Sequence, residues 1–185
     1  MQVTDAPYFI FVVNTRLGHK VRNHIEAHYP ELNAHYEIQW QLKGFGHAVL
    51  QTKNHFDRDE AALIHVDDAV FDFTSIYSEN SWMSICESDD PSSKGEVETF
   101  QLADSPFYSV ESIVEKPDNP QSNLVFSGAC FLTQIGELFD ALSMNINQGH
   151  MTKGEYQFTD AVQKLLKRGK LILAIEHPVI SLGRK

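Results

Sequence analysis

The alternation of strand-like and helix-like segments in the first third of the chain is the feature that most limits how it can fold. The apolar run YFIFVVN at 8–14 is typical of a buried strand, and LGHKVRNHIEAHY after it has Val21 and Ile25 at helical spacing. A strand (AHYEIQ), a helix (GHAVLQTKNHF) and a short buried strand (AALIHV) follow. Strands that alternate with helices favour parallel pairing, so we expect an α/β, Rossmann-like fold with a mostly parallel sheet.

The pattern changes after a polar, turn-rich break, DDPSSKG. Three strand-like runs follow it, EVETFQ, SVESIVE and NLVFSGACFL, and we expect them to form an antiparallel inserted portion. Two helical segments come next, TQIGELFDALSM and FTDAVQKLLKRG, and the strand LILAIE follows them. The first helix is predicted to carry an apolar stripe of Ile135, Leu138, Phe139 and Leu142. In the second helix we expect Thr159 to be the N-cap and Gly169 to end the helix.

Length and composition indicate one domain over 1–185 and exclude several classes of protein. A chain of 185 residues can bury roughly 70% of its unfolded surface. The formal charge of −10 argues against a nucleic-acid surface, and no apolar run reaches the length of ~18 residues that a membrane span needs. Cys86 and Cys130 lack metal-type spacing, and the first apolar run lacks the basic flank of a secretory signal, so we expect reduced thiols and a cytoplasmic protein.

Asp67 and Asp68 stand where the buried strand AALIHV should end. Ligands of open α/β sheets lie beyond the carboxyl ends of the strands, and Mg²⁺ is commonly held by one or two carboxylates together with substrate phosphates. The pair is therefore a candidate magnesium site. The alternative is that the two acids only end a strand and begin a turn.

The segment QWQLKGFGHAV is a second candidate. Gly44 and Gly46 would let the backbone approach a flat ligand closely, and Gln39 offers an amide to the edge of a base. The spacing matches neither a dinucleotide nor a P-loop fingerprint, so ordinary loop chemistry is the alternative.

Glu115 and Lys116 directly follow the β-branched run of a strand and form the third candidate. A carboxylate at Glu115 can accept hydrogen bonds from sugar hydroxyls, and the ammonium of Lys116 is a compact cation suited to a phosphate. The alternative is that the pair is solvated surface.

Taken in order, the segments QWQLKGFGHAVL, LIHVDDAVF, KGEVE with IVEKPDNPQSNLVFSG, and GEYQFTDAVQKLL resemble four motifs of the sugar-nucleotide nucleotidyltransferase family. These enzymes make nucleotide sugars from a sugar 1-phosphate and a nucleoside triphosphate. The resemblance runs through most of the chain. Its most specific part is the spacing of Glu, Lys, Pro, Pro, Ser, Asn and Gly in the third motif.

The resemblance implies a role for each candidate residue. Asp67 would bind Mg²⁺, while Gln39, Gly44 and Asp68 would contact the nucleotide. The sugar phosphate would be held by a further set of residues: Gly95, Glu115, Lys116, Asn123 and Glu155. By the same resemblance, the sugar phosphate would attack the α-phosphate of the triphosphate, and pyrophosphate would leave.

The chain also departs from the family pattern. The Gly-x-Gly-x-Arg loop that binds the triphosphate has no counterpart in the sequence, and neither does the first, central strand of the sheet. Ser181 stands where the family has a second metal-binding aspartate, and Val66 stands where it usually has glycine. We therefore expect an N-terminally incomplete domain with little or no turnover, and unpaired sheet edges that favour a homo-oligomer.

Three interpretations stay open on these grounds. The chain is a nucleotidyltransferase domain, or it is a non-catalytic module that binds a sugar phosphate or nucleotide. A gene fragment with no stable solitary state is the third possibility.

Overall fold

The structure, a computed structural model, describes residues 8–67, 69, 79–103, 105 and 107–176. None of the helices in these ranges is long and apolar enough to cross a membrane. The strands are β1 (Tyr8–Asn14), β2 (Asn33–Gln39), β3 (Ala62–His65), β4 (Trp82–Glu87), β5 (Gly95–Gln101), β6 (Tyr108–Glu115), β7 (Leu124–Leu132) and β8 (Leu173–Glu176). The α-helices are α1 (Gly18–His28), α2 (Phe45–Leu50), α3 (Gly136–Asn147) and α4 (Phe158–Lys167).

The strands form two sheets. The smaller sheet is the parallel pair of β1 and β2, and the larger has the order β3-β7-β4-β8-β6-β5. In the larger sheet β4 and β8 are parallel, while β7 is antiparallel to β3, to β4 and, through one pair of residues, to β5. The predicted α/β class is confirmed. Among the described strand pairings, β1–β2 and β4–β8 are parallel and the others are antiparallel, so fewer pairings are parallel than the alternation of strands and helices predicted.

The core lies between the larger sheet and helices α3 and α4. Its fully buried side chains come from strands and helices alike and include Met83, Leu132, Leu138, Leu142, Phe158 and Val162. The apolar stripe predicted for α3 is confirmed, because Leu138, Phe139 and Leu142 are all buried. Burial of these faces fixes both helices on the sheet, which sets the position of the loop before α4.

Two local predictions are wrong. The N-cap of α4 is Gln157, and Thr159 lies inside the helix, where its hydroxyl donates to Glu115 and does not accept from the N–H groups of the first turn. The helix predicted for GHAVLQTKNHF is α-helical only at Phe45–Leu50 and continues as a turn and a short 3₁₀ helix at Lys53–His55. The Thr52 hydroxyl donates to the carbonyl of Val49, a local bond that competes with helix continuation.

The two sheets remain separate in the part of the chain that the structure describes. β1 pairs only with β2, and β3 pairs only with β7, so each has one edge with no described strand beside it. Side chains connect the smaller sheet to the segment after α2: the Tyr8 hydroxyl donates to the carbonyl of His55 at 2.8 Å, and His55 Nε2 lies 2.6 Å from Glu37 Oε1.

Candidate functional site

A bulge in β7 shapes the wall of a large cavity. Met83 is opposite Cys130 but Ile85 is opposite Phe126, so β7 has two more residues than β4 across this step. The buried Ser84 hydroxyl spans the irregularity, because it donates to the carbonyl of Ala129 and accepts from the Ala129 N–H. Bulges of this kind re-aim side chains and are frequent beside functional sites.

The cavity has a volume of about 930 Å³ and opens at the ends of several strands. Its walls come from β4, β5, β6, β7 and the start of α4, and from the segment after β3. The lining residues closest to the candidate chemistry are Val66, Ala69, Gly95, Glu115, Gln157 and Thr159. A space of this size and position is typical of a small-molecule site.

Glu115 lies at the centre of the polar wall. Its carboxylate accepts a 2.7 Å hydrogen bond from Thr159 Oγ1 and has Lys116 Nζ 3.7 Å from its other oxygen. Its side chain is only 10% exposed, and this burial raises the pKa of the Glu115 carboxyl, against the opposing effects of Thr159 and Lys116. The group is a partly desolvated acceptor, suited to a hydroxyl donor from a ligand.

Gly95 faces Glu115 across the β5–β6 pair. A Cβ atom at this position would lie 2.9 Å from Thr159 Cγ2 and 3.3 Å from Glu115 Oε2. Glycine therefore leaves room for the carboxylate of Glu115 and the hydroxyl of Thr159 to meet beside the cavity.

Lys116 adopts a left-handed backbone conformation, with φ of 46°. Its N–H donates to the carbonyl of Lys94 at 2.7 Å, which holds the chain where it leaves β6. A non-glycine residue in this region is strained and persists only when the surroundings enforce it, and such residues cluster at functional sites. The strained backbone turns the chain away from the sheet at the position where the sequence predicted a phosphate contact.

Asn123 lies at the other end of the turn that begins with Lys116. Its side-chain nitrogen is 3.4 Å from Glu87 Oε1, and its carbonyl accepts from the N–H of Ser88 at 2.9 Å. Glu87 is one of the residues that line the cavity, so Asn123 stands at the rim and is exposed.

The predicted base-binding segment packs against the loop before α4. Gln39 Nε2 donates to the carbonyl of Gly44, and Gly44 has φ of 102°. A Cβ at Gly44 would lie 2.8 Å from both Glu155 Cβ and the carbonyl oxygen of Tyr156. The structure thus brings Gln39, Gly44 and Glu155 together, and Gln157, which donates to Glu155 Oε2 at 3.0 Å, joins them to the cavity.

The side-chain amide of Gln39 forms hydrogen bonds within the protein. Its Nε2 lies 3.0 Å from His47 Nδ1 as well as from the Gly44 carbonyl. Burial, together with the charge of Lys43, lowers the pKa of His47, which favours the neutral ring that can accept this bond. Both donors of the amide therefore have protein partners, and the side chain is buried.

Asp67 lies in an exposed turn after β3. Val66 and Ala69, on either side of it, line the same cavity as Glu115, and Val66 packs against Gly128 of the bulge. The described residues contain no cluster of three His, Cys, Asp or Glu side chains able to hold a metal ion. A single exposed carboxylate fits the way Mg²⁺ binds when substrate phosphates complete its ligands. Asp68 and Ser181 lie outside the described residues.

Reasoning from the sequence alone missed three contributors to the site. Thr159 was predicted only as a helix cap, and Gln157 was part of the fourth motif but was given no role, although both residues line the cavity. Glu96, the residue after Gly95, is a buried carboxylate that strand alternation alone would not have singled out. The sequence feature that could have indicated Gln157 and Thr159 is that these two polar residues lie on either side of the apolar Phe158.

Comparisons with known proteins identify similar sequences. The chain matches the family model described as Nucleotidyl transferase over residues 4–179. It is 30% identical over 138 residues to the bifunctional protein GlmU of Methanococcus aeolicus, and the match covers 72% of this chain and 30% of GlmU. It is 26% identical over 168 residues to the UTP–glucose-1-phosphate uridylyltransferase AglF of Haloferax volcanii, and the match covers 82% of this chain and 62% of AglF. The chain spans less than two thirds of either relative.

Solved structures give the same picture at the level of the fold. A UDP-glucose pyrophosphorylase in complex with UDP-glucose has a TM-score of 0.74 at 21% identity, over 93% of this chain and 74% of that one. The apo form of a UDP-glucose pyrophosphorylase has a TM-score of 0.69 at 21% identity.

Proposed function

Because the chain belongs to the nucleotidyl transferase family, we propose that it binds a sugar 1-phosphate and a nucleoside triphosphate in nucleotide-sugar biosynthesis. The observation that carries the proposal is the convergence of Gly95, Glu115 and Gln157 on one cavity, although they are far apart in the sequence. All four motifs that resemble the family contribute to its walls, the first of them through Phe45, which follows Gly44.

The geometry supports distinct roles for the two ends of the cavity. Glu115, partly desolvated and fixed by Thr159, would accept from a sugar hydroxyl, while Lys116 would neutralise the phosphate. Gly95 would keep the space beside them open, and Asn123 and Glu155 would contact the sugar. Gln39, Gly44 and Asp68 would contact the nucleotide.

In the proposed reaction, an oxygen of the sugar phosphate attacks the α-phosphorus of the triphosphate. A new bond forms between that oxygen and the α-phosphorus, and the bond between the α-phosphorus and the bridging oxygen of pyrophosphate breaks. The protein's contribution would be to align the two phosphates and offset their charge, which is where most of the rate enhancement of such reactions arises. Asp67 would hold Mg²⁺, which when bound would neutralise phosphate charge.

A second candidate is a module that binds the sugar phosphate without chemistry. The observation that favours it is the internal engagement of Gln39, whose amide donors are already used by Gly44 and His47. On this hypothesis the sugar-phosphate end of the cavity is ready for a ligand while the nucleotide end is not.

Calorimetric titration and a coupled pyrophosphate-release assay would test both candidates. We expect glucose 1-phosphate or another hexose 1-phosphate to bind the chain, and Glu115→Ala to weaken that binding roughly tenfold or more. Glu98→Ala, which changes an exposed carboxylate of β5, is the matched control and should leave binding unchanged. Absence of binding by every hexose 1-phosphate tested would refute the proposal.

Turnover separates the two candidates once binding is established. We expect little or no pyrophosphate release from the 185-residue chain, because the proposed site has no described counterpart of a triphosphate loop. Release that requires Mg²⁺ and is lost in Asp67→Asn would favour the enzyme over the binding module. Normal turnover would contradict our expectation of a weak or inactive chain.

The location and assembly of the protein complete the proposal. A cytoplasmic location is supported by Cys86 and Cys130, both of which are free thiols. Self-association through the edge of β1 that has no described partner would give a homo-oligomer. We include neither nucleic acid nor a membrane among the partners.

A further inference from the structure

Glu96, the second residue of β5, is a buried carboxylate whose partners are backbone groups. It is 5% exposed, and its Oε1 accepts from the backbone N–H groups of Gln121 and of Ser122. In the described part of the chain its hydrogen-bond partners are these two N–H groups and not a cation. Both donors belong to the turn between β6 and β7.

Burial of a carboxylate is unfavourable unless strong hydrogen bonds replace its water. Two successive N–H groups that converge on one charged oxygen provide such bonds, and bonds to an ionised acceptor are stronger than neutral ones. Without the carboxylate, both N–H groups would lose their partner. The structure therefore ties the conformation of this turn to the side chain of Glu96.

The turn held by Glu96 links the two sides of the cavity. Glu115 precedes it and Val125 follows it, and both residues line the cavity. Its ends are fixed by the bond from Lys116 N–H to the Lys94 carbonyl and by the bond from Ser88 N–H to the Asn123 carbonyl. The backbone of Glu96 pairs with Val125, and its carboxylate accepts from the N–H groups of Gln121 and Ser122 within the turn.

We propose that Glu96 is a positioning residue that orders the turn over residues 117–123 before any ligand arrives. Through this turn it sets where Lys116 and Asn123 stand, and so determines affinity for the phosphorylated sugar and not for the nucleotide. The sugar-phosphate part of this inference rests on the proposed function. The control of the turn by Glu96 does not rest on it.

The first experiment needs no ligand. In ¹⁵N NMR spectra, the amide protons of Gln121 and Ser122 should resonate downfield and exchange slowly, because each is bonded to a carboxylate. Glu96→Ala should abolish both features, Glu96→Gln should keep them in part because its oxygen still accepts, and the control Glu98→Ala should leave them unchanged. Unchanged amide signals in Glu96→Ala would overturn the inference.

The second experiment measures affinity in variants whose thermal melting shows them to be folded. We expect Glu96→Ala to weaken binding of glucose 1-phosphate roughly tenfold, with Glu96→Gln between it and the wild type. Binding of UTP should change less than twofold. Equal losses for both ligands, or no loss for either, would refute a positioning role. If the wild-type chain binds no sugar phosphate, the proposed function fails, while the amide experiment still decides whether Glu96 orders the turn.

Discussion

Gly128 is the residue at which the cavity wall is most tightly constrained. Its φ is +114°, and a Cβ there would lie 2.3 Å from Val66 Cγ2, well inside contact distance. Backbone strain and overpacking therefore act at the same position, and Gly128→Ala should lower the free energy of unfolding by on the order of 3 kcal/mol. Urea denaturation monitored by circular dichroism would measure this loss.

Gly149 provides the matched control for the same substitution. Its φ is +65°, but nothing lies within 4 Å of the position its Cβ would take. Gly149→Ala should therefore cost only about 1 kcal/mol, from the backbone alone. Equal losses at the two glycines would show that contact with Val66 contributes nothing.

Glu115 should make stability depend on pH in a specific direction. Burial raises the pKa of its carboxyl above the ordinary value of 4.5, so the folded state binds the proton more readily than the unfolded state. The stability that this group contributes is present below the ordinary pKa and is lost as pH rises through the raised one. Glu115→Gln is neutral throughout and should gain about 2 °C in melting temperature over the wild type at pH 7, but not at pH 4.

The same substitution should weaken sugar-phosphate binding, which would make Glu115 a residue kept for function at a cost in stability. The exposed Glu98→Gln is the control and should show no gain between pH 4 and pH 7. A gain for Glu115→Gln that is equal at both pH values would mean that ionisation of the buried carboxyl is not its cause.

At the level of the elements, Ser84 completes the pairing of β4 with β7. It is 0% exposed, and its hydroxyl serves both the N–H and the carbonyl of Ala129 where the ladder is interrupted. Ser84→Ala would leave both backbone groups without a partner in the core, at a cost of about 2 kcal/mol in the free energy of unfolding. Chemical denaturation would measure it.

Ser112→Ala is the comparison for Ser84→Ala. Its hydroxyl donates to Glu98 at the surface, where water can replace the lost bond, so the cost should stay below about 0.5 kcal/mol. Similar losses for the two serines would argue that Ser84 does not support the bulge.

Prediction from the sequence worked best where a local pattern and burial agree. The stripe of α3 and the end of β6 at Glu115 were predicted, since periodicity reports which face is buried. The strand β1 was predicted as well, but its predicted burial was wrong: none of the residues of Tyr8–Asn14 is fully buried, because β1 has a described strand on one side only. The antiparallel pairing of β3 with β7 and the bulge around Ser84 depend on residues distant in the sequence, so no local pattern encodes them. Thr159 was wrongly predicted as the N-cap because a threonine near the start of a helix can either cap the helix or hydrogen-bond to another segment, here Glu115, and the sequence does not distinguish the two.

At the level of the whole molecule, the described chain contains two sheets that differ in how much of each is packed against other elements. β7 lies between β3 and β4 and packs on the main core, whereas β1 has a described strand on one side only. The smaller sheet is attached to the rest through few side chains, among them Glu37 and His55, which meet at 2.6 Å. Regions with few buried contacts open at lower free energy than the core, so the two sheets should differ in hydrogen exchange.

We expect the backbone amides of β1 and β2 to exchange faster than those of β7, and His55→Ala to widen the difference. Loss of one partly buried hydrogen bond of about 1 kcal/mol should accelerate exchange in the smaller sheet roughly fivefold and leave β7 unchanged. His150→Ala, which removes a half-exposed ring elsewhere on the molecule, is the control and should affect neither sheet. If His55→Ala accelerated exchange equally in both sheets, they would open as one cooperative unit, and the attachment at His55 would be part of the main core instead of a separate link.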